Sequence, residues 1–477
     1  MILVADAGPA EGLDHSAPAA PAANWMQPIR GEIGKRIAAA REGDTIEISA
    51  GVYRESICID KPLTLIARGA VTLDGNGNGD IVEITAPGVT LRGFTIRNTG
   101  IDLDKENAAI RILAARAIIE DNVLEDVLFG IDLRQAPDSI IRRNTIGGKS
   151  LDIARRGDGL RLWRSDRTAI EKNVIHNGRD AILWYSSGIV VRENRTQNCR
   201  YGLHLMFSDN VTISGNEFLS NSVGIYLMYS TGVELTKNRI VQNRGPSGYG
   251  IGFKETDQFS VRENLIVGNR AGVYIDGSPF TEAKPGEFTR NTIAYNDVGI
   301  VFLPSARGNE LVGNNFIDNI DQVTVAGRGS LDANRFWKED CGNFWSDYTG
   351  YDQNGDGIGD FVHESQTLFE NMMDRQPALR LFLFSPAQQA IEFVGRAVPA
   401  VRPEARFTDE VPLMRPVPVA CAGLTGDEGE KVTMLGASGA ALLGLGGGIV
   451  LAACRATRNS QLGSARPSAC RLGGKYA

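Results

Sequence analysis

Asparagine recurs along the chain at a nearly constant spacing, and this period restricts the folds that the chain can adopt. Nine asparagines follow short apolar segments at intervals of 22, 29, 21, 22, 22, 26, 27 and 23 residues: Asn122, Asn144, Asn173, Asn194, Asn216, Asn238, Asn264, Asn291 and Asn314. These intervals leave no room for helices between the strands, and they match one coil of a solenoid. An asparagine at an inward turn can hydrogen-bond the asparagine of the next coil. The period therefore predicts an all-β solenoid.

A glycine opens most of the repeated strands, and aligning the repeats on it predicts which side chains face outward. Residues 202–206 and 224–228 read Gly-Leu-His-Leu-Met and Gly-Ile-Tyr-Leu-Met, with an offset of 22 residues. The second and fourth positions are apolar in every repeat, so they are expected to fill the core, while the third and fifth face out. The third positions include Asp132, Arg161, Leu183, His204 and Tyr226, and the fifth include Arg134, Trp163, Tyr185, Met206 and Met228.

The N-terminal part of the chain predicts a cap for the solenoid. Ile33, Ile37 and Ala40 share one face of a short helix within residues 30–49, and a strand follows. Residues 43–53 resemble the entry turn of right-handed parallel β-helices, where a small helix covers the first coil. We therefore predict a right-handed parallel β-helix over residues 30–335, preceded by a disordered or processed segment over residues 1–29. No secretory signal is visible there, although residues 2–7 resemble the end of one.

The C-terminal part predicts a cap with a strap and then a tail. Residues 336–418 form the cap and strap, in which Ser385 and Pro386 begin a helix and residues 399–418 are extended and proline-punctuated. The tail over residues 419–477 contains an uncharged stretch, 432–454, followed by basic residues. This stretch is a candidate membrane helix, although its six glycines argue against one. Residues 451–454 resemble a lipoprotein processing box, which belongs at an N-terminus, so an unrelated fused tail is an equal alternative.

Charge and cysteine content exclude some classes of protein. The formal net charge of −7 argues against a nucleic-acid-binding protein. The six cysteines lack C-x-x-C spacing, so neither a zinc module nor a disulfide scaffold is expected.

The pattern places three donors for a soft metal on neighbouring strands. His204 and Met206 face outward on one strand, and Met228 lies on the next. Thioether sulfur selects Cu(I), and imidazole is an acceptable co-ligand. A second interpretation is an outward apolar patch of Trp163, Tyr185, Met206 and Met228 that packs on a partner. The two interpretations are compatible, because a copper donor must dock its acceptor.

A second candidate metal site lies in the C-terminal cap. Residues 352–360 follow the D-x-N-x-D-G pattern of a calcium loop, with Asp352, Asn354, Asp356 and Asp360 as candidate ligands. The twelfth position is His363 instead of glutamate, so an EF-hand is excluded. A calcium-bound turn and a metal-free turn held by Asn and Asp side chains are both consistent with this pattern.

An enzymatic function has weaker support. Polysaccharide lyases and hydrolases with this fold need paired carboxylates or a calcium-plus-arginine site in one outward groove. Asp132 and Asp276 lie at opposite ends of the outward ladder, with aromatic and sulfur residues between them. A carbohydrate-active lyase, hydrolase or epimerase, and an adhesin-like module, remain the alternatives on fold analogy alone.

With these residues in hand, the chain resembles the NosD family of periplasmic maturation proteins of nitrous oxide reductase. The resemblance extends from about Gly43 to Pro418. It is carried by the repeats, His-x-Met at 204–206, Met-Tyr-Ser at 228–230, Gly-Asn-Phe-Trp-Ser-Asp-Tyr at 342–348 with the loop at 352–360, and Pro-Leu-Met-Arg-Pro at 412–416. The tail after Cys421 has no counterpart in this resemblance.

The resemblance implies a non-catalytic periplasmic subunit of an ABC-type transporter, associated with the inner membrane. Such a subunit would receive copper, as Cu(I), from a lipoprotein chaperone and present it to apo nitrous oxide reductase. It implies that His204, Met206 and Met228 form the copper relay, and that residues 384–416 contact the permease of a permease–ATPase pair. The residues expected to contact partners are Trp163, Tyr185, Tyr226, Ile391, Phe393 and Met414.

Overall fold

The computed structural model describes residues 31–281, 283–326, 330–365, 369, 372, 376–382, 385–398 and 405–418. Its α-helices are α1 (Glu32–Ala39) and α2 (Pro386–Ala397), and two 3-10 helices span Ile153–Arg155 and Pro377–Phe382. Phe369 and Met372 are also helical, and the other regular elements of these residues are strands.

The strands of the first half of the solenoid are β1 (Thr45–Tyr53), β2 (Ile57–Ile59), β3 (Thr64–Asp74), β4 (Val82–Ile84), β5 (Thr90–Arg92), β6 (Thr95–Arg97), β7 (Ala108–Ile112), β8 (Ile118–Glu120), β9 (Val123–Val127), β10 (Phe129–Arg134), β11 (Ile140–Arg142), β12 (Thr145–Gly148), β13 (Leu160–Trp163), β14 (Ala169–Glu171), β15 (Val174–His176), β16 (Asp180–Trp184), β17 (Val190–Arg192) and β18 (Arg195–Gln197). Those that follow are β19 (Tyr201–Met206), β20 (Val211–Ser214), β21 (Glu217–Leu219), β22 (Val223–Met228), β23 (Val233–Thr236), β24 (Arg239–Val241), β25 (Tyr249–Lys254), β26 (Ser260–Arg262), β27 (Leu265–Val267), β28 (Ala271–Asp276), β29 (Gly286–Thr289), β30 (Thr292–Ala294), β31 (Val298–Phe302), β32 (Asn309–Val312), β33 (Asn315–Ile317), β34 (Asp321–Val325), β35 (Phe344–Trp345), β36 (His363–Glu364) and β37 (Thr408–Asp409).

Parallel pairing between successive coils builds two long sheets. A 12-stranded sheet runs in the order β2-β4-β7-β10-β13-β16-β19-β22-β25-β28-β31-β34, so each coil contributes one strand to it. The remaining strands of the coils form a 23-stranded sheet. Apolar side chains from both sheets fill one continuous core along the solenoid axis. The predicted all-β parallel solenoid is confirmed.

The asparagine ladder exists as predicted. Asn194 donates from its backbone N–H and its side-chain amide to Asn216 Oδ1, at 2.8 and 3.0 Å. The same amide donates to the Ile170 carbonyl at 2.8 Å, so each buried asparagine joins adjacent coils. Two further ladders were not predicted: one of Asn221, Asn243, Asn269, Asn296 and Asn319, and one of Ser165, Ser186, Ser208 and Ser230.

Both ends of the solenoid are covered. Helix α1 buries Ile33 and Ile37 against the first coil, and the Glu55 carboxylate accepts the backbone N–H of Ile33 at 3.0 Å. At the other end Asp409 takes the place of the next ladder asparagine. Its Oδ2 accepts the backbone N–H of Asn343 at 2.7 Å and Nε1 of Trp345 at 2.8 Å. The motif around Asn343 is therefore the docking site of the strap that carries Asp409.

The predicted membrane segment, 432–454, lies outside the described residues. Within the described residues, no helix is both long enough and apolar enough to cross a membrane. Among the described cysteines, Cys341 is disulfide-bonded, whereas Cys58 and Cys199 are free.

Candidate metal site

The three predicted soft donors lie on neighbouring strands of the 12-stranded sheet. In the β19–β22 pairing, His204 is opposite Tyr226, and Met206 is opposite Met228. His204 Nε2 is 3.3 Å from Met228 Sδ. Since nitrogen and sulfur ligands bind a metal at about 2.0 and 2.3 Å, this separation suits two donors on one ion. The structure thus brings His204 and Met228 together, and Met206 lies beside Met228 in register.

The imidazole of His204 is held in its neutral form. Its side chain is only 8% exposed, and burial lowers its pKa to about 4. Its Nδ1 is buried, and no described group hydrogen-bonds it. A buried ring nitrogen without a partner is uncommon in native structures and costs free energy, so it indicates a functional site.

A cluster of tyrosines surrounds the imidazole on the side of the later coils. The His204 ring centroid lies 4.9 Å from that of Tyr201 and 6.1 Å from that of Tyr226. The cluster continues through Tyr249 to Tyr274, which stack at 4.2 Å. Gly252 makes room for it, because a Cβ there would lie 2.5 Å from Tyr226 Cε2. These rings exclude water from one side of His204.

Two parallel rows of outward side chains define the site. The histidine row contains Asp132, Arg161, Ile182, His204, Tyr226, Gly252 and Tyr274. The sulfur row contains Arg134, Trp163, Trp184, Met206, Met228, Lys254 and Asp276.

The predicted placement of Tyr185 and Leu183 in these rows was wrong by one residue. Trp184, not Tyr185, pairs with Met206, and Leu183 lies in the core. The glycine alignment failed because this strand lacks the glycine, and its pairing with β19 contains an irregularity between Asp180 and Ile182. Trp184 was therefore missed, and its Nε1 is buried without a partner among the described residues.

Tyr185 instead belongs to a second aromatic ladder in the turn beyond the sulfur row. Its ring stacks on Phe207 at 5.1 Å, and Phe207 stacks on Tyr229 at 5.0 Å. The backbone of each of these three residues has a positive φ, from 50° to 52°, which residues other than glycine rarely adopt. Tyr185 and Phe207 are 48% and 41% exposed. The sulfur row thus has an exposed aromatic border on one side and the tyrosine cluster on the other.

The predicted calcium loop is closed by its own hydrogen bonds. Asp352 accepts the backbone N–H groups of Gly355 and Gly357, at 2.6 and 2.8 Å, and Asp360 accepts that of Gln353 at 2.7 Å. Across the described part of the chain, no three His, Cys, Asp or Glu side chains are grouped as a metal site. Calcium binding at Asp352, Asn354, Asp356 and Asp360 stays a prediction.

The predicted transporter-contacting residues lie on the C-terminal cap. Ser385 accepts the Gln388 backbone N–H at 3.4 Å and caps α2, as predicted. Ile391 is partly buried on this helix, whereas Phe393 is 72% exposed. The backbone N–H of Met414 donates to the carbonyl of Gly357, so the strap packs against the loop at 352–360.

Comparison with known proteins identifies the family. The family model described as "Periplasmic copper-binding protein (NosD)" matches residues 143–350. A protein of Pseudomonas aeruginosa is 32% identical over 387 residues, which cover 77% of this chain and 87% of that protein. The chain belongs to the NosD family. A second relative, from Stutzerimonas stutzeri, is 28% identical over 389 residues, or 77% of this chain and 86% of the relative. Both are named "Probable ABC transporter binding protein NosD", so NosD relatives are named as binding proteins and not as enzymes.

The predicted resemblance to NosD is therefore confirmed, and so is the expectation of a binding protein. The family is one of periplasmic copper-binding proteins. Among solved structures, the A-module of mannuronan C-5 epimerase AlgE6 from Azotobacter vinelandii matches with a TM-score of 0.49 and 15% identity, over 64% of this chain and 93% of that one.

Proposed function

We propose that this NosD protein binds one Cu(I) ion at His204, Met206 and Met228 and delivers it to apo nitrous oxide reductase. The observation that carries the proposal is the contact of a buried, neutral imidazole with a thioether, in a family described as copper-binding. Thioether sulfur prefers Cu(I) to Cu(II) or Zn(II). A site with one nitrogen and two sulfur donors is therefore a Cu(I) site by its ligand chemistry.

The proposal extends to the partners of the protein. Its relatives carry the name of an ABC transporter binding protein, which supports association with the permease and ATPase of such a transporter at the inner membrane. The exposed Phe393 on α2 supports contact of the 384–416 segment with the permease. A lipoprotein chaperone would supply the copper. The exposed aromatic border of the sulfur row, with Tyr185 and Phe207, supports docking of donor or acceptor beside the ion.

Titration with Cu(I), with ascorbate as the reductant, tests the copper site. We expect about one equivalent to bind with an affinity that the double variant Met206→Leu/Met228→Leu loses, because leucine keeps the volume and removes the sulfur. Met414→Leu is the matched control, since this methionine lies on the strap. Unchanged binding in the double variant would refute the site.

Two further measurements test the rest of the proposal. Transfer of copper to the apo reductase should restore its copper centres with the wild-type protein and fail with the double variant. Phe393→Ser should weaken co-purification with the permease and leave copper binding unchanged. Turnover of alginate or pectate oligosaccharides by the purified protein would instead favour the carbohydrate-active alternative.

A further inference from the structure

The sulfur row changes from soft donors to a charged side chain immediately after Met228. Lys254 pairs in register with Met228 on one side and with Asp276 on the other. Adjacent strands lie about 4.8 Å apart, and all three side chains point outward. A cation is therefore built into the strand next to the proposed copper ligands.

The Lys254 ammonium lies over an aromatic ring and makes no direct contact with a carboxylate of the described residues. Its Nζ lies 5.7 Å from the centroid of Tyr229, the residue that follows Met228. The backbone N–H of Tyr229 donates to the Lys254 carbonyl at 3.0 Å, which ties the two residues together. No carboxylate of the described residues lies within 4.0 Å of this ammonium, whereas Lys172 and Lys237 pair with Glu193 and Glu263. The Tyr229 hydroxyl, and more weakly the carboxylates of Asp276 and Glu255, raise the pKa of Lys254, so the ammonium stays charged. Neither carboxylate is in direct contact with it, so its charge is only partly offset.

We propose that Lys254 acts as a charge filter on the metal site, weakening the binding of every cation and penalising divalent ions twice as much as Cu(I). The inference rests on the proposed copper function and adds a residue that determines affinity and selectivity. Coulomb energy is proportional to the charge of the ion, so the penalty for Zn(II) in free energy is double that for Cu(I).

The filter suits a protein that must release its cargo. At about 5 to 10 Å and an effective dielectric constant of roughly 30 to 50, between that of a protein surface pair and that of water, one positive charge raises the dissociation constant of a monovalent cation by about 3- to 50-fold. The same charge raises that of a divalent cation by roughly the square of this factor. Lys254 therefore speeds the release of Cu(I) and adds to the preference of the thioethers for the monovalent ion.

The test compares Lys254→Gln, Lys254→Arg and the wild-type protein in competition with Cu(I) chelators, one anionic and one uncharged. We expect Lys254→Gln to bind Cu(I) about 3- to 50-fold more tightly and to release it more slowly, and Lys254→Arg to match the wild type. The effect should shrink at high ionic strength, since this site is partly exposed to solvent. Lys237→Gln removes the same charge in the turn between β23 and β24, away from the site, and should change neither affinity. Zn(II) binding should rise by roughly the square of the factor for Cu(I).

The outcomes separate this inference from the proposed function. If the wild-type protein binds no Cu(I), or if its binding survives the double methionine variant, the copper function fails. If the wild type binds Cu(I) through the methionines but Lys254→Gln has the same affinity and the same Cu(I)-to-Zn(II) ratio, the charge filter alone is refuted. An equal gain for the two metals would also overturn it, because a charge effect must scale with the charge of the ion.

Discussion

The two outward rows of the 12-stranded sheet are built from opposite kinds of residues at their two ends. In the early coils they carry a closed ion network: Arg161 binds Asp132 at 2.8 Å and Glu106 at 2.6 Å, and Arg111 also contacts Asp132. Three coils beyond Asp132, the same rows carry His204 and Met206, with Met228 on the next coil, and no charged group of the described residues contacts the imidazole. The same sheet thus carries one cluster whose charged groups all have partners and another in which a buried polar atom has none among the described residues.

The difference separates stability from function. In the ion network every buried charge has partners, which is the condition under which buried charges persist in a folded protein. At the proposed metal site the buried Nδ1 of His204 has no hydrogen-bond partner among the described residues, so it does not contribute to stability there. We infer that the early coils hold the solenoid together, while the central coils are reserved for binding.

The largest expected effect comes from breaking the ion network. Asp132 is fully buried, and although burial opposes its charge, Arg161, Arg134 and Arg111 outweigh it and lower its pKa. Asp132→Ala removes the carboxylate that Arg111, Arg134 and Arg161 share, and Asp80 and Glu106 compensate these arginines only in part. The free energy of unfolding should therefore fall by about 3–5 kcal/mol in denaturant titration. Copper affinity should be unchanged in the folded variant. Glu47→Gln, which removes the exposed ion pair with Arg68, is the control and should have no measurable effect.

The two regions should also respond to pH in different windows. Burial lowers the pKa of His204 to about 4, whereas an unfolded histidine titrates near about 6.5. Between these values the unfolded state binds the proton and the folded state does not, so stability falls as the pH drops from about 6.5 to 4. For the metal-free protein the loss should be up to about 3 kcal/mol.

The variant His204→Gln has no histidine to protonate at this position. The difference in unfolding free energy between the wild type and this variant should therefore change between about pH 6.5 and 4. Asp132, with its lowered pKa, stays charged over the same range, and its contribution should be lost only below about pH 4. A pH-independent difference between wild type and His204→Gln would show that the imidazole is hydrated, contrary to its burial.

The sequence predicted the periodic part of the structure well because each coil repeats the same physical requirement. The asparagine spacing predicted the ladder, and the position of Met206 and Met228 within their repeats predicted their pairing. The glycine alignment failed at the strand that carries Trp184. This strand has no glycine to align, so the predicted outward positions were one residue too late, and Tyr185 was assigned to the place that Trp184 occupies.

Contacts between coils that the repeat does not encode were also missed. The position of Gly252 within its repeat does not show that the absence of a Cβ there makes space for the Tyr226 ring of the neighbouring coil. The strap is a similar case, because Asp409 replaces a ladder asparagine from 66 residues away in sequence. Such contacts join segments that no local pattern relates.

A smaller effect is expected from the tyrosine cluster around the imidazole. Gly252→Ala places a Cβ against the Tyr226 ring, which must move, so the packing that orients His204 is disturbed. We expect Cu(I) affinity to fall by roughly tenfold, corresponding to about 1.4 kcal/mol, with donor residues unchanged. Tyr226→Phe keeps the ring and should bind copper like the wild type. Equal affinities in all three proteins would mean that the cluster does not position the histidine.

The smallest effect on stability should come from the residues most important for binding. Leucine and methionine have similar volumes, so Met206→Leu and Met228→Leu should each change the free energy of unfolding by less than about 1.5 kcal/mol. Both side chains are only partly buried, which reduces the effect further. A loss as large as that of Asp132→Ala would mean that the sulfur row also supports the solenoid, and the contrast between a stabilising end and a binding centre would fail. Near-wild-type stability with lost copper binding would show that these two methionines are present for the metal and not for the fold.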